Sequence, residues 1–284
     1  MEKGASPIRI FAIADLHLSF GAAKPMSVFG EAWAHHTDRL AASWMREVGA
    51  QDTVLIAGDI SWAMREEEVR PDMEFIARLP GRKVLLKGNH DYWWSTRKKV
   101  AQMAGPDCGV LQTNALLLPQ AAIVGARGWN LPSSPQFTPD DGRILAREVD
   151  RLRLSLEEGR RSGLPLIAMM HYPPLYDVAQ KTVFTDLLES YGVRVCVYGH
   201  LHGTAHRSRV EGLVRGIRYH LVAADYLEFT PLALDLNEAL GGGDASGDAQ
   251  SAPGPRDASG VRGVPDPHDA SGAPSAPDLR DARE

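Results

Sequence analysis

Lys83-Val84-Leu85-Leu86-Lys87-Gly88-Asn89-His90-Asp91 joins two kinds of sequence within nine residues. Its first part is a short apolar run of the sort that forms a buried strand. Its second part is a glycine followed by side chains that coordinate cations or move protons. The same order recurs on both sides of it. Ile8–Ala14 ends in Asp15-Leu16-His17, and Thr53–Ala57 ends in Gly58-Asp59. Leu164–Met170 ends in His171, and Arg194–Tyr198 ends in Gly199-His200-Leu201-His202. Strand carboxyl ends line the crevice of open α/β sheets, so five such deliveries can converge on one site. Extended backbone points residues i and i+2 to the same side, which is the expected way for Asp15 with His17, and His200 with His202, to face one cavity. The glycines at 58, 88 and 199 would allow sharp turns and close backbone approach before each ligand.

Between the apolar runs, Glu31–Val48, Glu66–Leu79, Asp140–Arg160 and Val183–Tyr191 carry apolar residues at helical spacing, for example Ile144, Leu145, Val149, Leu152 and Leu156. Ala121–Gly125 reads as a further strand, and the alternation of strands with helices implies a layered α/β fold. Val214–Ala223 and Phe229–Leu236 read as two strands with no helix between them, so the sheet is expected to be mixed. The segment Phe20–Trp44 is rich in aromatics and Met and reads either as a cap over the site or as a helix packed on the core. Residues 1–240 are expected to form one domain. From about Leu240 the composition turns to Gly, Ala, Ser, Pro and Asp, with Asp-Ala-Ser-Gly at 244, 257 and 269. Such a segment cannot bury a core, and 241–284 is expected to be a disordered low-complexity tail.

The formal charge of −5 belongs mostly to that tail, where eight Asp and Glu face four Arg. The nearly neutral remainder argues against an extended nucleic-acid-binding face. Cys108 and Cys196 are the only cysteines, too few for a disulfide framework. Cys196 lies four residues before His200, about 13 Å away on an extended strand, so it reads as core rather than as a ligand. The first apolar run is short and is followed at once by Asp15, which reads as neither signal peptide nor membrane span. A cytoplasmic setting without membrane attachment is expected.

Asp15, Asp59 and Asn89 supply oxygens, and His17, His171, His200 and His202 supply imidazoles. Seven ligands exceed the needs of one tetrahedral ion; two ions sharing a carboxylate would use them. The O/N chemistry suits two divalent or mixed-valence transition-metal ions, Mn, Fe, Zn or Co. The ordered series Asp-x-His, Gly-Asp, Gly-Asn-His-Asp, His and Gly-His-x-His resembles the calcineurin-like metallophosphoesterases over roughly residues 8–203. The opening segment through Phe29, and Asp91-Tyr92-Trp93-Trp94, are similar to a bacterial subgroup of predicted phosphohydrolases. The resemblance implies a β-sandwich of mixed sheets flanked by helices. It implies a phosphoric ester hydrolase acting on a phosphomonoester or phosphodiester by attack of a metal-bridging hydroxide, with Mn as the ion that supports activity in vitro. It also implies Asp15, His17 and His202 on one metal, Asn89, His171 and His200 on the other, and Asp59 bridging them. His90 is then free of metal and placed as the catalytic acid or charge stabiliser.

Arg127 follows a strand and reads either as a substrate phosphate clamp or as a surface arginine. Asp91 reads either as a turn residue or as a group orienting a ligand. His35, His36, His206 and His220 occupy no motif slot and are set aside. Trp93 and Trp94 would serve a nuclease or nucleotide phosphodiesterase by stacking, or simply pack the wall. A lipid-linked pyrophosphate hydrolase would need a basic amphipathic stretch, which is lacking. A non-catalytic metal-binding interaction module is the remaining alternative, and the full ligand set argues against it.

Overall fold

The computed structural model describes residues 8–135 and 137–236. One sheet has the order β11-β1-β2-β3-β4, built from Leu232–Ala233, Ile10–Ile13, Thr53–Ala57, Arg82–Leu86 and Cys108–Leu111. The other has the order β5-β6-β7-β8-β10-β9, from Leu116–Leu117, Ala122–Ala126, Leu166–Met170, Val195–Tyr198, Ile217–Leu221 and Gly212–Val214. Strands β1 to β4 run parallel, as do β6, β7, β8 and β10, while β11, β5 and β9 pair antiparallel at the edges. The sheets are mixed, as expected.

The apolar runs are continuous because both faces of these strands are covered. Ile10, Leu55, Val84 and Leu86 meet Ile123, Ile167, Met169 and Val197 between the sheets. The opposite face of the first sheet, with Ile13, Ile56 and Leu85, packs against α1 (His36–Glu47), α2 (Glu66–Arg78) and α3 (Arg97–Ala104). The opposite face of the second packs against α4 (Asp141–Arg161) and α5 (Val183–Ser190). Each fully buried Leu or Ile contributes roughly 1.5–3 kcal/mol, so this four-layer stack is a stiff platform for the strand ends. At those ends the sheets touch: the Ala14 N–H donates to Val222 O at 2.7 Å, and the Ala224 N–H to Ala14 O at 2.9 Å.

Several elements depart from the sequence reading. Val214–Ala223 is a hairpin, because Arg215 and Gly216 both take positive φ, 47° and 80°, the two-residue turn that reverses β9 into β10. Phe229 lies in the turn before β11 and carries a positive φ of 61°. The elements α3, β4 and β5 were not foreseen. Residues 1–7 and 237–284 lie outside the described residues, and with them the tail. Among the described residues no helix is long and apolar enough to cross a membrane.

Candidate metal centre

Every ligand-type residue singled out at a strand end lies at the edge where the two sheets meet. Asp15, His17, Asp59 and His200 take φ of 59°, 45°, 49° and 73°. The extended i, i+2 geometry expected for the two pairs is therefore wrong. Each loop turns left-handed at the ligand, at about 1–3 kcal/mol per non-glycine residue. Hydrogen bonds between loops hold that strain: Asp15 N–H to Gly58 O at 2.9 Å, His17 N–H to Asp59 O at 3.0 Å, and Leu18 N–H to Ile60 O at 3.0 Å. Two glycines are demanded by close approach rather than by their own φ. A Cβ at Gly88 would collide with Asp59, and one at Gly199 with Asp15 and Ala14.

The side chains form two groups. In the first, His17 Nε2 faces His202 Nε2 at 3.3 Å, and Asp15 Oδ1 lies 3.5 Å from His202 Nε2. In the second, Asn89 Oδ1 lies 2.6 Å from His171 Nε2 and 3.0 Å from His200 Nδ1. Asp59 Oδ2 stands between them, 3.4 Å from His171 Nε2 and 3.9 Å from His17 Nε2. Asp15 also approaches His171, but at Nδ1, 3.8 Å away, which already meets the Ala57 carbonyl at 3.1 Å. Nε2 is therefore the His171 nitrogen turned toward Asn89 and Asp59, and Asp59 is the carboxylate that approaches a histidine Nε2 in both groups.

Backbone donors fix the other oxygens: Asp59 Oδ1 accepts the His90 N–H at 2.8 Å, and Asp15 Oδ2 accepts the His200 N–H at 2.9 Å. Asp15 Oδ1 is buried with no hydrogen-bond partner. An orphaned carboxylate oxygen and two imidazole nitrogens facing each other converge on the same space, which positive charge, a proton on His202 or a metal ion in its place, resolves. The residues present fit the metals that the sequence implied.

Burial above all, with help from neighbouring imidazoles, pushes His17 and His200 well below the usual imidazole range, so both keep the lone pair a metal needs. Burial opposes the charge on Asp59, yet His171, His17 and His90 around it hold its carboxyl well below the usual range. His202 goes the other way: against burial, Asp15 and Asp225 raise it well above the usual value.

His90 stands apart from both groups. Its ring lies 4.4 Å from Trp62 and 5.8 Å from His17. Burial, chiefly, lowers its pKa. Trp62 stacks on His17 at 4.7 Å and donates from its indole nitrogen to Met26 Sδ at 2.9 Å, while the Trp33 ring meets His17 and His202 edge-on. Met26 and Trp33 are buried, so the segment Phe20–Trp44 both packs on the core and walls the site.

Asp91 is fully buried and does far more than close a turn. Its Oδ1 accepts from Ile60 N, Ser61 N and Trp93 Nε1 at 2.9, 3.1 and 3.1 Å, and its Oδ2 from Gly88 N at 2.8 Å. It ties the loop bearing Asp59 to the loop bearing Asn89 and His90. Burial, then the Asp59 charge, pushes its pKa up to about 6. Trp93 and Trp94 are buried in the core and offer no stacking face. Arg127 is not a surface arginine: its guanidinium pairs with Glu148 at 3.1 Å and covers Trp129 at 4.6 Å. Cys196 is core, as expected.

Asp225 was missed. Its Oδ1 accepts from His202 Nδ1 at 2.9 Å and its Oδ2 from Gly203 N at 3.1 Å, with His206 Nε2 3.2 Å away. Despite burial, hydrogen bonds from His202 and His206 hold its carboxyl far below the usual range. It lies four residues after β10, at a strand end like the other ligands, although Arg215, Arg218 and His220 interrupt the apolar pattern that marks those strands in sequence. His206, set aside from the sequence, therefore belongs to the surroundings of His202. Tyr172 was also missed; its ring lies 4.1 Å from that of His200.

A family model for calcineurin-like phosphoesterases matches residues 8–204. The chain belongs to this family. Its members' motif residues are the ones gathered here, and the side chains present can hold a metal ion. The fold is shared with the phosphopantetheinyl hydrolase of Mycobacterium tuberculosis, 17% identical with a TM-score of 0.51 over 87% of this chain and 98% of that one. A protein of unknown function from Aquifex aeolicus is similar over 80% of this chain and 96% of its own, at 13% identity and a TM-score of 0.46. The Gene 66 protein of Mycobacterium phage L5 is 35% identical over 77 residues, which span 27% of this chain and 37% of the phage protein.

Proposed function

We propose that this protein is a dinuclear phosphoric ester hydrolase, with Asp15, His17 and His202 on the first ion, Asn89, His171 and His200 on the second, and Asp59 shared. The observation that carries the reading is the position of Asp59 Oδ2 between the Nε2 atoms of His171 and His17, one from each group, 3.4 and 3.9 Å away. Two bound ions would lower the pKa of a shared water and offset charge on phosphoryl oxygens. The protein's own part is to keep His17 and His200 neutral, to aim His202 through Asp225, and to hold the two ligand loops together through Asp91. His90, with its backbone on Asp59 and its ring outside both groups, is the residue left to protonate the leaving oxygen or stabilise its charge. Residues 1–240 are the catalytic domain in this reading, acting in the cytoplasm with Mn the ion that supports turnover in vitro.

The deciding experiment pairs elemental analysis of the reconstituted protein with hydrolysis of an aryl phosphomonoester and the matching diester in the presence of Mn²⁺. About two ions per chain and chelator-sensitive release of the phenol are expected. Active protein with zero or one ion would defeat the dinuclear assignment. The faster of the two substrates decides between monoesterase and diesterase.

A further inference from the structure

The row of strand ends that supplies the ligands carries two cations as well. Lys87 directly follows β3, two residues before Asn89, and Arg127 directly follows β6, whose neighbour β7 ends in His171. The Arg127 carbonyl accepts the N–H groups of His171 and Tyr172 at 3.0 and 2.9 Å, which fixes its backbone against the second ligand group. The Arg127 guanidinium leans on Glu148, and Glu148 is also taken by Arg151 at 2.7 Å. Lys87 is half-buried, and the charges around its ammonium are Arg127, Asp91, Arg151 and Glu148. No hydrogen bond or ion pair links that ammonium to any described residue, and Arg127 Nε is buried without a partner. Of the two carboxylates nearby, Asp91 is spent on four N–H donors, and Glu148 meets two arginines through Oε1 while its Oε2 is buried without a partner.

Three cations, Lys87, Arg127 and Arg151, therefore stand on one side of the site against two carboxylates, of which Asp91 is already taken by four N–H donors. Like charges in a partly desolvated place are unfavourable, and such an arrangement is explained when an anion completes it. Arginine offers a fork of donors suited to phosphate oxygens, and lysine adds a movable point charge. We propose that Lys87 and Arg127 form a subsite beside the second ligand group that receives a second phosphate, so that the preferred substrates are phosphate esters carrying another phosphate group. The subsite rests on the phosphoesterase reading, because the scissile phosphate is placed at the two ligand groups.

Non-hydrolysable probes separate binding from turnover. Full-length, Mn²⁺-loaded protein is titrated calorimetrically with propylphosphonate and with alkane bisphosphonates of two to four carbons. The best bisphosphonate should bind at least about tenfold tighter than propylphosphonate, the share of one well-placed charged contact. Lys87→Met should remove most of that ratio while leaving propylphosphonate affinity unchanged, and Lys87→Arg should restore part of it. Arg127→Met should act in the same direction. If the loss of Glu148's partner unfolds that variant, the two Lys87 variants still decide. No preference in the wild type, or a preference that survives Lys87→Met, overturns the subsite. Hydrolysis of an aryl phosphate is scored separately: turnover without a bisphosphonate preference overturns the subsite alone, whereas a preference without turnover overturns the reaction.

Discussion

Asp91 offers the sharpest test of how the centre is held together. Asp91→Ala removes the acceptor of four buried N–H donors, those of Ile60, Ser61, Gly88 and the Trp93 indole. A buried donor left without a partner costs about 1–3 kcal/mol. If water entering the vacated space satisfies half of them, about 2–6 kcal/mol remains, a large share of the roughly 5–15 kcal/mol that holds a domain folded. For a protein of this size each kcal/mol shifts Tm by about 2–4 °C, so a fall of at least about 4 °C is expected. Asp91→Asn keeps one oxygen for Ile60, Ser61 and Trp93 but turns its amide N–H toward that of Gly88, leaving one donor unpaired and costing about 1–3 kcal/mol. The order should therefore be wild type, Asn, Ala. Both variants should bind metal about 10–100-fold more weakly, because the loops bearing Asp59 and Asn89 lose their common anchor. Thermal unfolding of the metal-free protein and calorimetric metal titration measure the two effects. A Tm within about 1 °C of wild type for Asp91→Ala, with unchanged metal affinity, would show that the four hydrogen bonds do not hold the loops.

Metal uptake should also be pH-dependent through His202. Asp15 and Asp225 raise its pKa well above the usual value against the effect of burial, so near neutral pH the metal-free protein holds a proton where the ion must bind. Affinity should then rise by up to about tenfold per pH unit until the folded pKa is passed. The stability that this proton gives the metal-free protein is full below the unfolded pKa and is lost over the same rise. Asp225→Asn should flatten that slope and weaken first-ion binding about 10–100-fold, as metal titrations across pH would show; an unchanged slope would remove Asp225 from the account. His90→Ala should retain both ions while kcat falls roughly 10²–10⁴-fold, with the deficit growing as the leaving-group pKa rises, and metal loss in that variant would make His90 a ligand. Deleting residues 241–284 should leave Tm and turnover nearly unchanged, because that segment has few apolar side chains to add to a core; a large loss in either would move the domain boundary.

The strand ends could be read from sequence because parallel strands covered on both faces must be apolar throughout, so a polar residue after such a run stands out. Thr53–Ala57 followed by Gly58-Asp59 is that pattern, and the strand has the same bounds in the structure. The elements that were missed bury little. In α3 only Val100 and Ala104 are buried, one i, i+4 pair, although Thr96 does cap its start by accepting from Lys99 N. Strand β5 is two residues long and has no period to detect. The backbone of the ligand loops was beyond reach for a different reason. Positive φ is uncommon for any non-glycine residue, and although Asp and His tolerate it better than most, nothing local in Asp15-Leu16-His17 demands the left-handed turns at both ligands. Those turns are imposed from outside, by hydrogen bonds to Gly58, Asp59 and Ile60 on a neighbouring loop.

Asp225 and Lys87 sharpen the distinction between what is local and what is not. Both stand at strand ends, where the sequence rule directs attention, but an aspartate two residues past Ala223 and a lysine two residues before Asn89 are unremarkable by composition. Their meaning comes from partners far along the chain: His202 across 23 residues for Asp225, and Arg127, Arg151 and Glu148 for Lys87. A first-layer ligand can be named from its motif because its partner is an ion of known chemistry. A residue that orients a ligand, or that waits for a second phosphate, is defined by other side chains, and only the packing of the two sheets against each other brings those into range.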